Sequence, residues 1–204
     1  MNESFEAAAN EKYRGRFVVV EVGGAGHREE HDMSLMNHLA IDPEKHPLYI
    51  NIDDRPDNLK KVPGVGAPSV AVQQGDIFSG RFLYDRDLDG SVDRFILFNV
   101  LSENVRQMVE ASLPSLSLKI ASMLKEGGKA FIGEWYTPDK VSEITQFDFE
   151  RYGLRKSVFR DGEAVRRELG ELGVSEQKVE TIIRDFNACS EMGAHPFLIV
   201  LTNS

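Results

Sequence analysis

Apolar positions along this chain follow two alternating patterns. Short runs carrying Val, Ile, Leu and Phe read as strands: residues 17–22, 48–52, 69–72, 92–100, 129–133, 178–183 and 197–201, of which the first, almost continuously apolar, reads as buried on both faces. Between several of them the apolar residues return every three or four positions, as one face of a helix does. Met33, Met36, Leu39 and Ala40 form such a stripe over 29–40, which Asp42-Pro43 ends. Val105, Met108, Val109, Leu116, Ile120 and Met123 form another over 103–124, and 163–172 a third. Pro114 should kink the second helix or begin a new one, and Gly127-Gly128 should cap it. Residues 63–68, with two Pro and two Gly, are loop, and 79–90 is a polar connection. Strands alternating with helices predict an α/β fold: a Rossmann-like, doubly wound, mostly parallel seven-stranded sheet with helices on both faces. The 204 residues suffice for one domain, 1–204, burying roughly 70% of the unfolded surface.

The chemistry gathers where the first three strands end. Glu21-Val22-Gly23-Gly24-Ala25-Gly26-His27 follows the first strand directly. Glycines there let the backbone turn sharply and approach a ligand, and the helix start beyond them offers free N–H groups. Glu21, just before the first glycine, repels a pyrophosphate and attracts an ammonium. Asp53 follows Tyr49-Ile50-Asn51-Ile52 at the second strand end, where a carboxylate can accept both hydroxyls of a ribose. A solvated strand end, with Asp54 and Asp57 beside it, is the competing reading. Asp76, before Ile77 and Phe78, can accept from an exocyclic amine or can serve the turn after Gly75.

With these residues the chain resembles the class I S-adenosylmethionine-dependent methyltransferases over most of its length. The glycine run looks like their first motif, and Ile52-Asp53-Asp54-Arg55-Pro56-Asp57-Asn58-Leu59 is similar to their second strand and its ribose-binding acid. Gly75-Asp76-Ile77-Phe78 resembles the motif whose Asp meets the adenine amine, and residues 92–101 look like the fourth strand. Leu124-Lys125-Glu126-Gly127-Gly128-Lys129 matches the turn before the fifth. The resemblance implies S-adenosylmethionine as cofactor, held by Glu21, Gly23, Gly24, Ala25, Gly26, Asp53, Asp54, Asp76, Ile77 and Asn99. Asn99 is followed by Val100-Leu101 rather than the Pro-Pro-aromatic signature of nucleic-acid amino-methylating relatives, which points to a small-molecule acceptor. Ala25 and His27 stand where the family pattern has glycines; they keep open a non-methylating member that binds the cofactor or a metabolite for a structural, regulatory or other catalytic role.

Candidates for the acceptor side are Glu134 and Tyr136 after the fifth strand and His195 before the last. Trp135 reads more readily as packing than as chemistry. Residues 137–160, with Phe147, Phe149, Tyr152 and Phe159, have the length and aromatic content of a lid, or of a segment that packs on the sheet.

Composition narrows the partners. A formal charge of -9 disfavours nucleic acid. No apolar run reaches membrane-spanning length, the acidic first residues are no signal peptide, and the single Cys189 suits a reducing compartment, so a cytoplasmic location is expected. A homodimer stays open. His27-Arg28-Glu29-Glu30-His31 matches an inverted zinc-peptidase string but sits at a helix start, so no metal is expected. Asp85-Arg86-Asp87-Leu88-Asp89-Gly90 mimics half a calcium loop whose final ligand position holds Ile96. Gly24-Ala25-Gly26-His27-Arg28-Glu29 lacks the last glycine of a dinucleotide fingerprint.

Overall fold

The computed structural model describes residues 13, 15–23, 43–62, 65–79, 86–98, 100–135 and 142–204, with the backbone alone at 43, 101–111, 142 and 143. The helix expected over 29–40 and the His27–His31 string lie outside the described residues. The strands are β1 (Val18–Val22), β2 (Leu48–Asp53), β3 (Val70–Gln74), β4 (Val92–Phe98), β5 (Leu124–Glu134), β6 (Leu154–Phe159) and β7 (Phe197–Asn203). The α-helices are α1 (Pro56–Leu59), α2 (Leu101–Met123), α3 (Ser142–Gln146), α4 (Gly162–Leu172) and α5 (Glu176–Glu191). One sheet takes the order β3-β2-β1-β4-β5-β7-β6.

Side-chain alternation splits the strands between two layers. Val18, Val20, Ile50, Phe95, Leu97, Ile132 and Ile199 face one way, onto Leu113, Leu116, Ile120 and Met123 of α2. Val19, Ile96, Phe131, Leu198 and Val200 face the other, onto Val165 and Leu169 of α4 and Ile182, Ile183 and Phe186 of α5. Each such side chain, fully buried, contributes about 1.5–3 kcal/mol. Helices therefore cover both faces, as the patterning predicts.

The sheet is mixed, which corrects the expectation of a mostly parallel one. β1, β2, β3, β4 and β5 pair in parallel, but β7 runs antiparallel to β5 and to β6. The chain crosses from β5 to β6 leaving a gap one strand wide, and β7 fills that gap in reverse. A strand buried on both faces carries the same apolar run whichever way it points, so the pattern conceals its direction.

Two elements also trade places. Residues 178–183 lie within α5, where Val179, Ile182, Ile183, Phe186 and Cys189 keep helical spacing and are buried. The remaining strand is β6, a sheet edge whose positions are mostly solvent-facing. Pro114 sits inside an unbroken α2, and β5 begins immediately after Met123. Gly127-Gly128 thus belongs to β5: a Cβ at Gly128 would stand 2.8 Å from the Val92 carbonyl oxygen, at the register shift between β4 and β5. α4 is capped at its start by Asp161, whose side chain accepts from the Ala164 N–H at 3.0 Å, and at its end by Gly173 with φ +83°.

Candidate functional site

Glu21, Asp53 and Asp76 come together at one edge of the sheet. Glu21 is the fourth residue of β1, Asp53 closes β2, and Asp76 lies two residues beyond β3. Parallel pairing sets their level: Val22 lies opposite Ile52, and Asp53 opposite Gln74. Two backbone bonds tie the strand ends further, Gly23 N–H to Ile52 O and Gly75 N–H to Asp53 O, each 2.9 Å.

The turn after β1 requires its glycine. Gly23 has φ +69°, and a Cβ there would stand 2.8 Å from Val100 Cγ2 at the start of α2. The backbone can approach a ligand here because nothing projects from it. Gly24, Ala25 and Gly26 lie outside the described residues, as do Asn99 and Tyr136.

Asp53 is not a solvated strand end. It is 6% exposed, while Asp54 beside it is exposed. Its Oδ1 accepts the Arg55 N–H at 2.8 Å, and Asn58 Nδ2 reaches both carboxylate oxygens, at 3.2 and 3.1 Å. These bonds hold the turn into α1. An ionised carboxylate offers about four acceptor sites; these contacts occupy three of them and leave Oδ2 open to a hydroxyl. Asn51, opposite Glu21, is fully buried, and neither Oδ1 nor Nδ2 has a hydrogen-bond partner. The region around Glu21 therefore holds polar capacity that the protein itself does not use.

Asp76 makes a turn bond, its Oδ1 accepting the Phe78 N–H at 2.9 Å. Ile77 and Phe78 are buried behind it. Lys119, absent from the sequence reading, holds this loop from α2: its Nζ donates to Ile77 O at 2.7 Å and to Ser79 O at 2.5 Å. Burial pushes the Lys119 ammonium below its ordinary pKa, an effect opposed by attraction to Asp76. The signal was in the pattern, since residue 119 falls beside Leu116, Ile120 and Met123 on the stripe that buries α2.

On the other half of the sheet, Glu134 closes β5 and is fully buried. It pairs with Phe197 at the start of β7, so the reversed direction of β7 brings the exposed His195 to the edge where β5 ends. Trp135 packs between Phe98 and Phe186, with ring centroids 5.6 and 5.2 Å away, which makes it a core residue. Cys189 is a buried thiol of α5. No group of three metal-ligating side chains occurs among the described residues, and none of their helices is long and apolar enough to cross a membrane.

No family model and no curated protein matches the chain. Solved structures do. A TehB-like S-adenosylmethionine-dependent methyltransferase from Corynebacterium glutamicum is similar at TM-score 0.52 and 16% identity, over 98% of this chain and 87% of that one. The CurJ carbon methyltransferase is similar at TM-score 0.53 and 16% identity, over 94% and 50%. Phospholethanolamine N-methyltransferase 2 of Haemonchus contortus, solved with S-adenosylhomocysteine, is similar at 0.51 and 11%, over 98% and 52%. The chain has the class I methyltransferase fold. It spans about half the length of the last two neighbours. The strand-end acids lie at the carboxyl ends of parallel strands, the edge beyond which open α/β sheets bind ligands.

Proposed function

We propose that the protein is a methyltransferase that binds S-adenosylmethionine at this edge and methylates a hydroxyl, amine or carbon of a small molecule. The observation that carries the reading is the convergence of Glu21, Asp53 and Asp76 on one strand edge, beside a Gly23 turn that has no room for a side chain. In this reading Asp53 accepts the ribose hydroxyls, and Asp76 with Ile77 takes the adenine. Glu21, with Gly23, Gly24, Ala25 and Gly26, surrounds the amino-acid end, while Asp54 and Asn99 complete the rim. When bound, the cofactor supplies a methyl group already activated by its sulfonium charge. The chain then has to align an acceptor with it, which lowers the barrier by pre-organisation. Glu134, Tyr136 and His195 flank the acceptor side, where one of them takes the proton of a hydroxyl or amine acceptor. Of the segment 137–160, Leu154–Phe159 form β6 and Ile144, Phe149 and Leu154 pack in the core, so its described part packs on the sheet. The chain acts as a single domain that works in the cytoplasm.

The test is thermal stability with S-adenosylhomocysteine and, separately, NAD. A ligand at a hundredfold excess over Kd stabilises the fold by about 2.7 kcal/mol, so the first should raise the melting temperature and the second should not. Equal shifts, or none with either, overturn the cofactor assignment. Ala25 and His27 favour a second reading, a binding protein without methyl transfer. Stabilisation by S-adenosylhomocysteine, with no methyl transfer to any hydroxyl, amine or carbon acceptor tried, supports that one.

A further inference from the structure

The opposite edge of the sheet, where β1, β4 and β5 begin, holds a cavity of about 750 Å³. Arg16, Phe17, Lys45, Asp93, Arg94 and Lys125 line it. Among the described residues four cations meet one carboxylate there, in a chain whose formal charge is -9.

That carboxylate is fully engaged. Asp93 Oδ2 accepts the Val18 N–H at 2.8 Å, and Oδ1 forms an ion pair with Lys125. The other three cations have no such partner: among the described residues, Arg16, Lys45 and Arg94 form no ion pair with a carboxylate. Both arginines are instead held by neutral groups. Arg16 donates to the carbonyls of His46 at 3.2 Å and Pro47 at 3.3 Å, and Arg94 Nη1 donates to the Asp93 carbonyl at 2.9 Å. His46 adopts φ +47°, a conformation costly to a side-chain-bearing residue and kept only where its surroundings impose it. The Phe17 ring lies between Lys45 Nζ, 5.8 Å from its centroid, and Arg94 Cζ, 5.5 Å away. Burial pushes the Arg94 guanidinium below its ordinary pKa, and attraction to Asp93 and Glu171 only partly offsets this.

Positioned guanidinium forks and an ammonium that form no ion pair among the described residues make an anion receptor, and the planar fork suits phosphate oxygens in particular. The cavity volume falls within the range of small-molecule sites and far exceeds what inorganic phosphate would fill. We propose that this cavity binds a small organic diphosphate, its charge neutralised by Arg16, Lys45 and Arg94 beside the Phe17 ring. The site stands apart from the strand-end acids and does not depend on the methyltransferase reading.

ADP is the probe, titrated calorimetrically into the protein with S-adenosylhomocysteine present throughout to compete for the strand-end site. The expected result is saturable binding that weakens at least tenfold in Lys45→Glu and in Arg16→Glu, while Lys60→Glu, an exposed lysine elsewhere, binds as the parent does. AMP, with one phosphate, should bind at least tenfold more weakly than ADP. Should Arg16→Glu fail to fold once it no longer holds the His46 and Pro47 carbonyls, the exposed Lys45 decides alone. Absence of saturable ADP binding at millimolar concentration overturns the proposal. So does equal binding by the parent and Lys45→Glu, or by ADP and AMP.

Discussion

Replacing Asp53 by Ala separates what that carboxylate does for the fold from what it does for a ligand. In the folded chain it accepts from the Arg55 N–H at 2.8 Å and from Asn58 at 3.2 and 3.1 Å. A hydrogen bond to a charged group is worth about 1.5–3 kcal/mol. Arg55 is exposed and Asn58 half-buried, so both donors can turn to water once the acceptor is gone. The total loss of stability should then be about 1.5–3 kcal/mol rather than the sum over every contact. If the same carboxylate accepts ribose hydroxyls, S-adenosylhomocysteine affinity falls as well, by about tenfold to a hundredfold, or roughly 1.4–2.7 kcal/mol. Asn58→Ala removes one donor and leaves the acceptor in place. It should cost about 1 kcal/mol of stability and less affinity than Asp53→Ala. Denaturant unfolding reports the first quantity and calorimetry the second. Asp54→Ala is the register control, since that side chain points to solvent. A larger affinity loss in Asp54→Ala than in Asp53→Ala would refute the assignment of the ribose acid. Unchanged stability in Asp53→Ala would refute the account of the turn.

Gly23→Ala should destabilise the fold by more than the backbone term of about 1–2 kcal/mol for a left-handed residue, because its Cβ would also press on Val100 at 2.8 Å. Gly153→Ala, at φ +77° with nothing within 4 Å, should show the backbone term alone; equal losses in denaturant unfolding would refute the clash. Lys119→Met should cost about 1–3 kcal/mol near neutral pH by leaving the Ile77 and Ser79 carbonyls without their donor. The folded pKa of Lys119 lies below its ordinary 10.5, so between the two values the unfolded chain holds a proton that the folded chain has released. Stability conferred by the lysine therefore rises with pH across that alkaline window, and a parent-to-variant difference that shrinks there would contradict the burial of the ammonium.

Much of this architecture was legible because buried strands and amphipathic helices write their periods into the chain. β1, β2, β4, β5 and β7 all stand out as apolar runs, and the acids at the first three strand ends are visible in the sequence itself. Besides the direction of β7, three features escaped for separate physical reasons. β6 is an edge strand in which Arg155, Lys156 and Ser157 interrupt the apolar positions, so it had no run to find. α5 hid because Val179, Ile182 and Ile183 look like a short strand until Phe186 and Cys189 extend the stripe by another turn. The grip of Lys119 on the Asp76 loop spans more than forty residues of chain, a distance no local pattern encodes, although a lysine on a buried stripe was already an anomaly. Among the acids, Asp53 could be placed but its structural duty could not, because Asn58 reaches it only once the turn into α1 has formed.

The reversed strand has a consequence for synthesis. β7 follows β5 and β6 in sequence yet lies between them in the sheet. Until residues 197–203 leave the ribosome, β5 ends in an open row of unpaired backbone groups flanked by Phe131 and Ile132, and β6 has no partner for its inner edge. Open apolar edges of this kind recruit other chains, and non-local strand pairing is among the slower steps of folding. A nascent chain that stalls or is cut just short of β7 would present this template to its neighbours, and pairing of this seven-residue strand with β5 and β6 removes it.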